Sequence, residues 1–392
     1  MSAEAALTSS SAPAVSAPRL QAIDLLRGLT IGLMIMANNN GGAQAFGMFK
    51  HADWNGCTPT DLVFPTFLFL VGVSIVLSTT SRIGHGATRT SLLAHILRRS
   101  VILYLLGIVV NSYPHFALDT MRFYGVLPRI ALCYLVVASL YLARPAWRST
   151  LALMVTALIS YWLLMRFVAV PGSGVPGRDV PLLDPDRNLA AWLDRRIFTA
   201  AHLYEGTRDP EGLLSTLPAL ATTWLGLLTG IWLRSGHTLL RKTAVIFLAA
   251  AICILLGALW NVDFPINKKL WTSSYVLFAG GWSLLLLAGL MWLSDLQSSS
   301  RDAEVPSAWW RTALLVLGTN AISVYVWSEL LASTLWWIPV RAGLKLQQWL
   351  EAPILSAIPN GALADLTYSS LYLLLCWLPA YLLYRRRIFI KV

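Results

Sequence analysis

Residues 25–77 read LLRGLTIGLMIMANNNGGAQAFGMFKHADWNGCTPTDLVFPTFLFLVGVSIVL. Two apolar runs, Leu25–Ala37 and Leu62–Leu77, enclose a polar connector, Asn38–Asp61. Each run approaches the ~20 apolar residues that cross a hydrocarbon core. The connector carries three consecutive asparagines, two glycines, His51 beside Lys50 and close to Asp53, and a Trp-Asn-Gly. A link between two membrane helices can be much shorter and needs none of these groups. Polar and ionisable side chains held near a bilayer are costly, so their concentration here marks a site.

The rest of the chain repeats this alternation. Of 392 residues, 56% are hydrophobic and 12% charged, with 17 tryptophans and a mean hydropathy of +0.62. A soluble protein carries roughly twice that charged fraction. The pattern predicts an all-α fold, a polytopic transmembrane helix bundle of about ten spans. They run over Ala22–Asn38, Asp61–Thr79, Ser100–Val110, Val126–Leu142, Leu151–Val170, Thr216–Leu233, Thr243–Trp260, Thr272–Leu293, Thr312–Leu330 and Leu366–Tyr384. Gly318, Asn320 and Ser323 interrupt the ninth. Residues 1–20, rich in Ala, Ser and Pro, read as a disordered tail, and 21–392 as the membrane domain. Residues 171–215 form the longest soluble loop. Leu331–Leu366 reads as interfacial helices, whose tryptophans would suit contact with a second copy in a homodimer.

Charge sets the expected orientation. Arg82, Arg89, Arg98, Arg99, Arg144, Arg148, Arg234 and Arg385–Arg387 fall in one set of loops, which the positive-inside rule assigns to the cytoplasm. Both termini are then cytoplasmic, and the His51 connector and the 171–215 loop lie outside. This rule accounts for the net charge of +11 without a nucleic-acid partner. Cys57, Cys133, Cys253 and Cys376 lack metal-ligand spacing and read as small apolar fillers, so no metal is expected. No P-loop, HExxH or GxSxG occurs.

His51 is the side chain in the connector whose ordinary titration lets it take and return a proton near neutral pH. A loop histidine often does no more than bond a neighbouring carbonyl. Here Asn38, Asn39, Asn40, Asp53, Asn55 and Asp61 are close in sequence, the composition of a general base with an orienting carboxylate and an oxyanion donor. Asp61 could equally serve as a helix-start carboxylate, worth ~1 kcal/mol, although Thr58 or Thr60 could cap in its place. Asn38 could be a C-cap, but three asparagines exceed what a cap requires. Arg129, Glu211, Lys268, Lys269 and Trp271 belong to the outer side, as interfacial anchors or as the lining of a polar mouth for a hydroxylated or amino-bearing substrate. Asn320 must find a partner inside its span. Arg27, Arg98 and Arg99 fix topology, or bind a phosphorylated cytoplasmic cofactor by charge-assisted bonds. A sugar permease with the same outer vestibule and no covalent chemistry is the alternative of a different class.

RLQAIDLLRGLTIGLMIMANN and FKHADWNGCTPTDLVFPTFLFLVGVSI are similar to the heparan-α-glucosaminide N-acetyltransferase family. The likeness continues through GVLPRIALCYL, DPEGLLSTLPALATTWLGLLTGIWL, INKKLWTSSYVLFAGGWSLLLLA and LGTNAISVYVWSELL. It implies a transferase that moves the acetyl group of cytoplasmic acetyl-CoA to the amine of glucosamine, or of a glucosamine-containing saccharide, across the lipid bilayer. For this chain that bilayer would be the inner membrane of a bacterium. The resemblance implies that His51 is the active-site histidine and Asp61 the aspartate of the DLVFP block. The family's catalytic asparagine, which would stabilise the oxyanion, falls on Asn38, with Asn39 and Asn40 as its rivals. Arg27, Arg98, Arg99 and Asn320 would hold CoA. Asn39, Asn40, Arg129, Glu211, Lys268 and Trp271 would face the acceptor. His51 either deprotonates the incoming amine or carries the acetyl group itself.

Overall fold

The computed structural model describes residues 20–39, 44–144, 146–296 and 309–390, so Asn40 and residues 1–19 of the expected tail lie outside the described residues. Within them, regular structure is helical, accompanied only by isolated bridges. The helices are α1 (Gln21–Asn38), α2 (Val63–Gly84, entered through a 3-10 turn over Pro59–Leu62), α3 (Arg89–Ser112), α4 (Val126–Ala143), α5 (Trp147–Phe167), α6 (Leu189–Ile197), α7 (Thr216–Leu233), α8 (Leu239–Trp260) and α9 (Ser273–Leu290). After the gap follow α10 (Trp309–Thr319), α11 (Ala321–Trp337), α12 (Leu346–Ala357) and α13 (Gly361–Arg385).

Eight of these helices are long and apolar enough to cross a membrane, and the bent pair α10–α11 makes a ninth candidate. The bundle is therefore a polytopic membrane fold. α1, expected as the first span, carries Asp24 and Arg27 and falls outside that set by composition; its 18 residues lie among the other helices, with Ala22, Leu25 and Leu26 fully buried. The expected ninth span is not straight. It breaks at Asn320 with a bend of 80°. Asn320 leaves the helical conformation and pairs with the chain end: its Nδ2 donates to the Ile388 carbonyl at 3.1 Å, and the Ile390 N–H donates to its Oδ1 at 2.9 Å. α3 also starts earlier than its apolar run, at Arg89, where the Thr88 hydroxyl accepts the Ser91 N–H at 3.2 Å. Hydropathy marks the lipid-matched part of a helix, whereas capping sets where the helix begins.

Burial grades the helices from centre to rim. In α7, 72% of the apolar window is buried and in α2 61%, against 22% in α3 and in α8. α2 and α7 touch backbone to backbone at Gly72 and Gly226, where a Cβ on either would collide with a carbonyl oxygen of the other helix. Small residues allow such close approach where lipid, and not water, surrounds the helices.

At the His51 end, the 171–215 segment folds back over the bundle around α6, which Asn188 caps by accepting the Ala191 N–H at 2.9 Å. Trp54 Nε1 donates to the Leu183 carbonyl at 2.8 Å, with the Arg208 guanidinium 5.0 Å from its ring. Lys269 pairs with Glu205 at 3.0 Å. Gly56, at φ +113°, bridges to Asn267, and its N–H donates to the Ile266 carbonyl at 2.7 Å. The Trp-Asn-Gly of the connector is thus an architectural tie that fixes His51 against two remote segments.

Candidate active site

His51 and Asp61 meet as the sequence suggests. His51 Nδ1 lies 2.7 Å from Asp61 Oδ1. The other carboxylate oxygen accepts the Thr58 N–H at 2.9 Å, the Thr58 hydroxyl at 3.0 Å and the Ala52 N–H at 3.1 Å. Both readings of Asp61 therefore hold at once, because its two oxygens divide the work: Oδ2 organises the helix start and Oδ1 holds the imidazole. The Tyr275 hydroxyl donates to the Asp61 carbonyl at 2.5 Å, which pins the same residue from α9. Asp61 is fully buried, while the His51 side chain is 47% exposed. The ring is thus oriented on its buried edge and open on the other. With Nδ1–H donated to Asp61, the lone pair of the ring is on Nε2.

Lys268 completes the group from the segment before α9. Its Nζ lies 2.9 Å from His51 Nδ1, 3.4 Å from Nε2 and 3.5 Å from Asp61 Oδ1. Burial lowers the pKa of this ammonium, and the charges of Asp61 and Glu211 oppose that shift.

The asparagines separate. Asn39 performs the capping, its backbone N–H and Nδ2 both reaching the Ile35 carbonyl, at 3.2 and 3.0 Å. Asn38 is exposed and donates Nδ2 to Glu329 Oε1 on α11 at 3.0 Å. Glu329 was missed in the sequence, although a signal was present: it is the one charged residue of Ala321–Trp337, and a carboxylate in an apolar helix is a site candidate by default. Glu211 sits in an ion pair with Arg122, which also grips Asp209 through two hydrogen bonds at 2.6 and 2.7 Å. Arg122 was missed as well, since only the fold brings it to these carboxylates. Arg129 is fully buried; it donates to the Gly212 carbonyl at 3.0 Å and to Ser215, and its guanidinium lies 5.1 Å from the Trp271 ring. Trp271 is itself 1% exposed and packs edge-on against Phe64 and Tyr275. Arg129 and Trp271 brace the wall behind Asp61.

A cavity of about 340 Å³ adjoins this group, between α1, α2 and α9. Thr58 and Pro59 form its rim, and Leu33, Leu62, Phe278 and Leu286 carry it into the bundle. From Phe278 to Leu286 the helical rise covers about 12 Å. Cys57 also lines it; burial, reinforced by the Asp61 charge, pushes its thiol up to about 12, so it serves as a neutral lining group. The residues expected to bind CoA do not form one cluster. Arg27 belongs to the contact of α1 with α2 and α10, through Asp24 at 3.0 Å, the Gly318 carbonyl at 3.3 Å and Ser74 at 3.4 Å. Arg98 and Arg99 lie on α3, with Arg99 4.6 Å from the Tyr134 ring of α4. Asn320 is taken up by the C-terminal segment.

Comparison with known proteins gives this site a context. Residues 19–242 match the family model described as heparan-alpha-glucosaminide N-acetyltransferase, catalytic. The chain is 32% identical to the Homo sapiens heparan-alpha-glucosaminide N-acetyltransferase over 426 residues, covering 96% of this chain and 60% of the human one. It is 30% identical to the Mus musculus protein of the same name over 436 residues, covering 96% and 61% respectively. The chain thus spans about 60% of the length of the curated relatives it matches.

Proposed function

The chain belongs to the heparan-alpha-glucosaminide N-acetyltransferase catalytic family, and from that premise we propose that it is a transmembrane acetyltransferase. It takes the acetyl group of acetyl-CoA from the cytoplasm and delivers it to the amine of glucosamine, or of a glucosamine-containing saccharide, at the His51 end. That end faces the periplasm of a bacterium, with both termini in the cytoplasm. The observation that carries the reading is the oriented imidazole of His51, half-exposed and hydrogen-bonded to a buried carboxylate, beside an apolar cavity leading into the bundle.

The acceptor amine attacks the thioester carbonyl carbon, a C–N bond forms, and the carbonyl π pair moves onto oxygen. His51 Nε2 takes the amine proton. Collapse of the tetrahedral species expels the CoA thiolate, to which His51 returns that proton. Asp61 keeps Nδ1 protonated and the ring in line throughout. The transfer is direct, in a ternary complex. The pantetheine arm lies along the cavity between α1, α2 and α9, whose apolar lining excludes water from the thioester. Arg27 on α1, and Arg98 and Arg99 on α3, are separate cations away from the His51 end, so the CoA phosphates would meet them singly and not as one cluster. Asn38 and Glu329 face the acceptor, where a carboxylate favours an amine-bearing sugar over its hydroxyl counterpart.

Proteoliposomes loaded with radiolabelled acetyl-CoA, with glucosamine outside, test the reading. Labelled N-acetylglucosamine in the outer medium is the expected result. Unmodified glucosamine accumulating in the lumen would make the protein a permease instead.

A further inference from the structure

We propose that Lys268 is a catalytic residue, supplying the cation against which the tetrahedral oxyanion forms. The inference rests on the acetyl-transfer reading above and adds to it a residue that the His51–Asp61 pair does not require. It begins from two distances. Nζ is 2.9 Å from Nδ1 and 3.4 Å from Nε2 of the same ring. An atom in line with the lone pair of one imidazole nitrogen lies far from the other nitrogen, across the ring. Near-equal distances to both put Nζ over the ring instead. The ammonium therefore consumes neither the Nδ1–H that Asp61 accepts nor the Nε2 lone pair that faces the acceptor.

A simple counter-ion role for Asp61 accounts poorly for this placement. The carboxylate already has the imidazole, two backbone N–H groups and the Thr58 hydroxyl, and Nζ is farther from its oxygen, at 3.5 Å, than from Nδ1. A nitrogen 3.4 Å from Nε2 stands beside the place where the amine must arrive to lose its proton, and the carbon under attack is one bond from that amine. The reacting carbonyl oxygen can then turn toward Nζ as it gains charge. Donors fixed in advance where charge develops are the largest single source of rate acceleration in acyl transfer.

The turn that holds Lys268 is rigid enough for the task. Asn267 is fully buried, donates Nδ2 to Asn55 Oδ1 at 3.1 Å and accepts the Leu270 N–H at 2.9 Å. Its backbone N–H donates to the Thr272 hydroxyl at 3.0 Å, and Thr272 donates to the Pro265 carbonyl at 2.9 Å. Trp271 adopts φ +54°, a left-handed conformation that a bulky residue takes only when its surroundings impose it. A lysine on a free loop would lose its aim to side-chain entropy. Here the backbone beneath it is locked, and the ammonium is set by His51 and Asp61 together.

The test compares Lys268→Met, Lys268→Arg and Lys268→Cys with the wild type, using acetyl-CoA and glucosamine. In Lys268→Met, kcat should fall roughly 10²–10³-fold while both KM values stay within about 3-fold. Lys268→Arg, which keeps a cation, should retain more activity than the methionine variant. Lys268→Cys should be slow until S-aminoethylation restores an ammonium at that position, a recovery that a purely architectural lysine would not show. A raised KM for glucosamine with kcat preserved would make Lys268 an acceptor-binding residue and overturn the proposal. Full activity in the methionine or unalkylated cysteine variant would overturn it too, as would a folded cysteine variant that aminoethylation fails to revive. Absence of transfer in the wild type itself would instead remove the acetyltransferase reading.

Discussion

The two ends of this bundle treat charge differently. At the His51 end, groups far apart in sequence converge: Asp61 with Lys268, Arg122 with Asp209 and Glu211, Asn38 with Glu329. At the opposite end, Arg27 ties helices together, whereas Arg98 and Arg99 ride along α3. Charges that converge on one spot have to be held in low dielectric by exact partners, and the chain provides them through buried turns and caps. Charges that flank a bundle end need only reach water or a flexible polyanion. On the proposed function, the difference indicates where geometry is critical: acyl transfer would demand angstrom placement, while holding CoA phosphates would demand charge density.

The largest expected effect breaks the convergent end at its centre. His51→Ala should reduce acetyl transfer by at least about 10³-fold, because it removes the base and leaves the rest of the vestibule in place. The side chain is half exposed, so the fold should survive. Binding of acetyl-CoA, measured by calorimetry, should be unchanged. Turnover within tenfold of wild type would take His51 out of the chemistry.

The sequence showed the convergent end in outline and missed its edges for a physical reason. His51, Asp61 and Asn38 lie within one connector, where local spacing suffices to suspect them. Lys268 is 217 positions from His51, and what brings it there is the Gly56–Asn267 bridge, a long-range contact without a periodic signature. Spans were legible because lipid imposes apolar length, yet the break at Asn320 depends on an amide finding the backbone of the chain end. Which asparagine caps α1 was undecidable from composition, since all three suit αL and cap geometry. Glu329 was legible and overlooked, a lone carboxylate in an apolar stretch.

Glu329 supplies the next test, at the rim of the convergent end. Among the described residues it forms no ion pair, in contrast to Glu211, which shares Arg122 with Asp209. A carboxylate left without a cation at the vestibule is suited to an ammonium-bearing ligand. Glu329→Gln, nearly isosteric and still able to accept from Asn38, should raise KM for glucosamine roughly tenfold and change kcat less than about 3-fold. Steady-state kinetics at saturating acetyl-CoA separate the two. An unchanged KM would assign Glu329 to helix packing.

The opposite end should yield more gently. Arg98→Ala combined with Arg99→Ala removes an exposed cation and a half-buried one that lies against the Tyr134 ring, and surface charge interactions are worth ~0–1 kcal/mol each. The double variant should raise KM for acetyl-CoA only a few-fold, with the effect shrinking as salt is increased. A loss as large as that of His51→Ala would show that this end, too, is built by convergence.

The smallest effect on activity should come from a buried carboxylate at the His51 end that the chemistry does not use. Asp194 on α6 is 1% exposed and accepts the Leu213 N–H at 3.1 Å, which fixes the turn that receives Arg129. Burial, with Asp209 adding to it, pushes its carboxyl up to about 6 from an ordinary 3.8. The folded protein therefore holds this proton more tightly than the unfolded chain does. Its contribution to stability is fully present below pH 3.8 and is lost as pH rises through about 6, an order of about 3 kcal/mol across the window. Asp194→Asn keeps an acceptor for Leu213 and cannot ionise, so its melting temperature should depend less on pH between 4 and 7 than the wild type's does. Equal pH slopes would mean that water or a neighbouring cation already compensates the charge. Transfer to glucosamine at pH 7 should be the same in both proteins, because Asp194 shapes the turn behind the wall and touches neither donor nor acceptor.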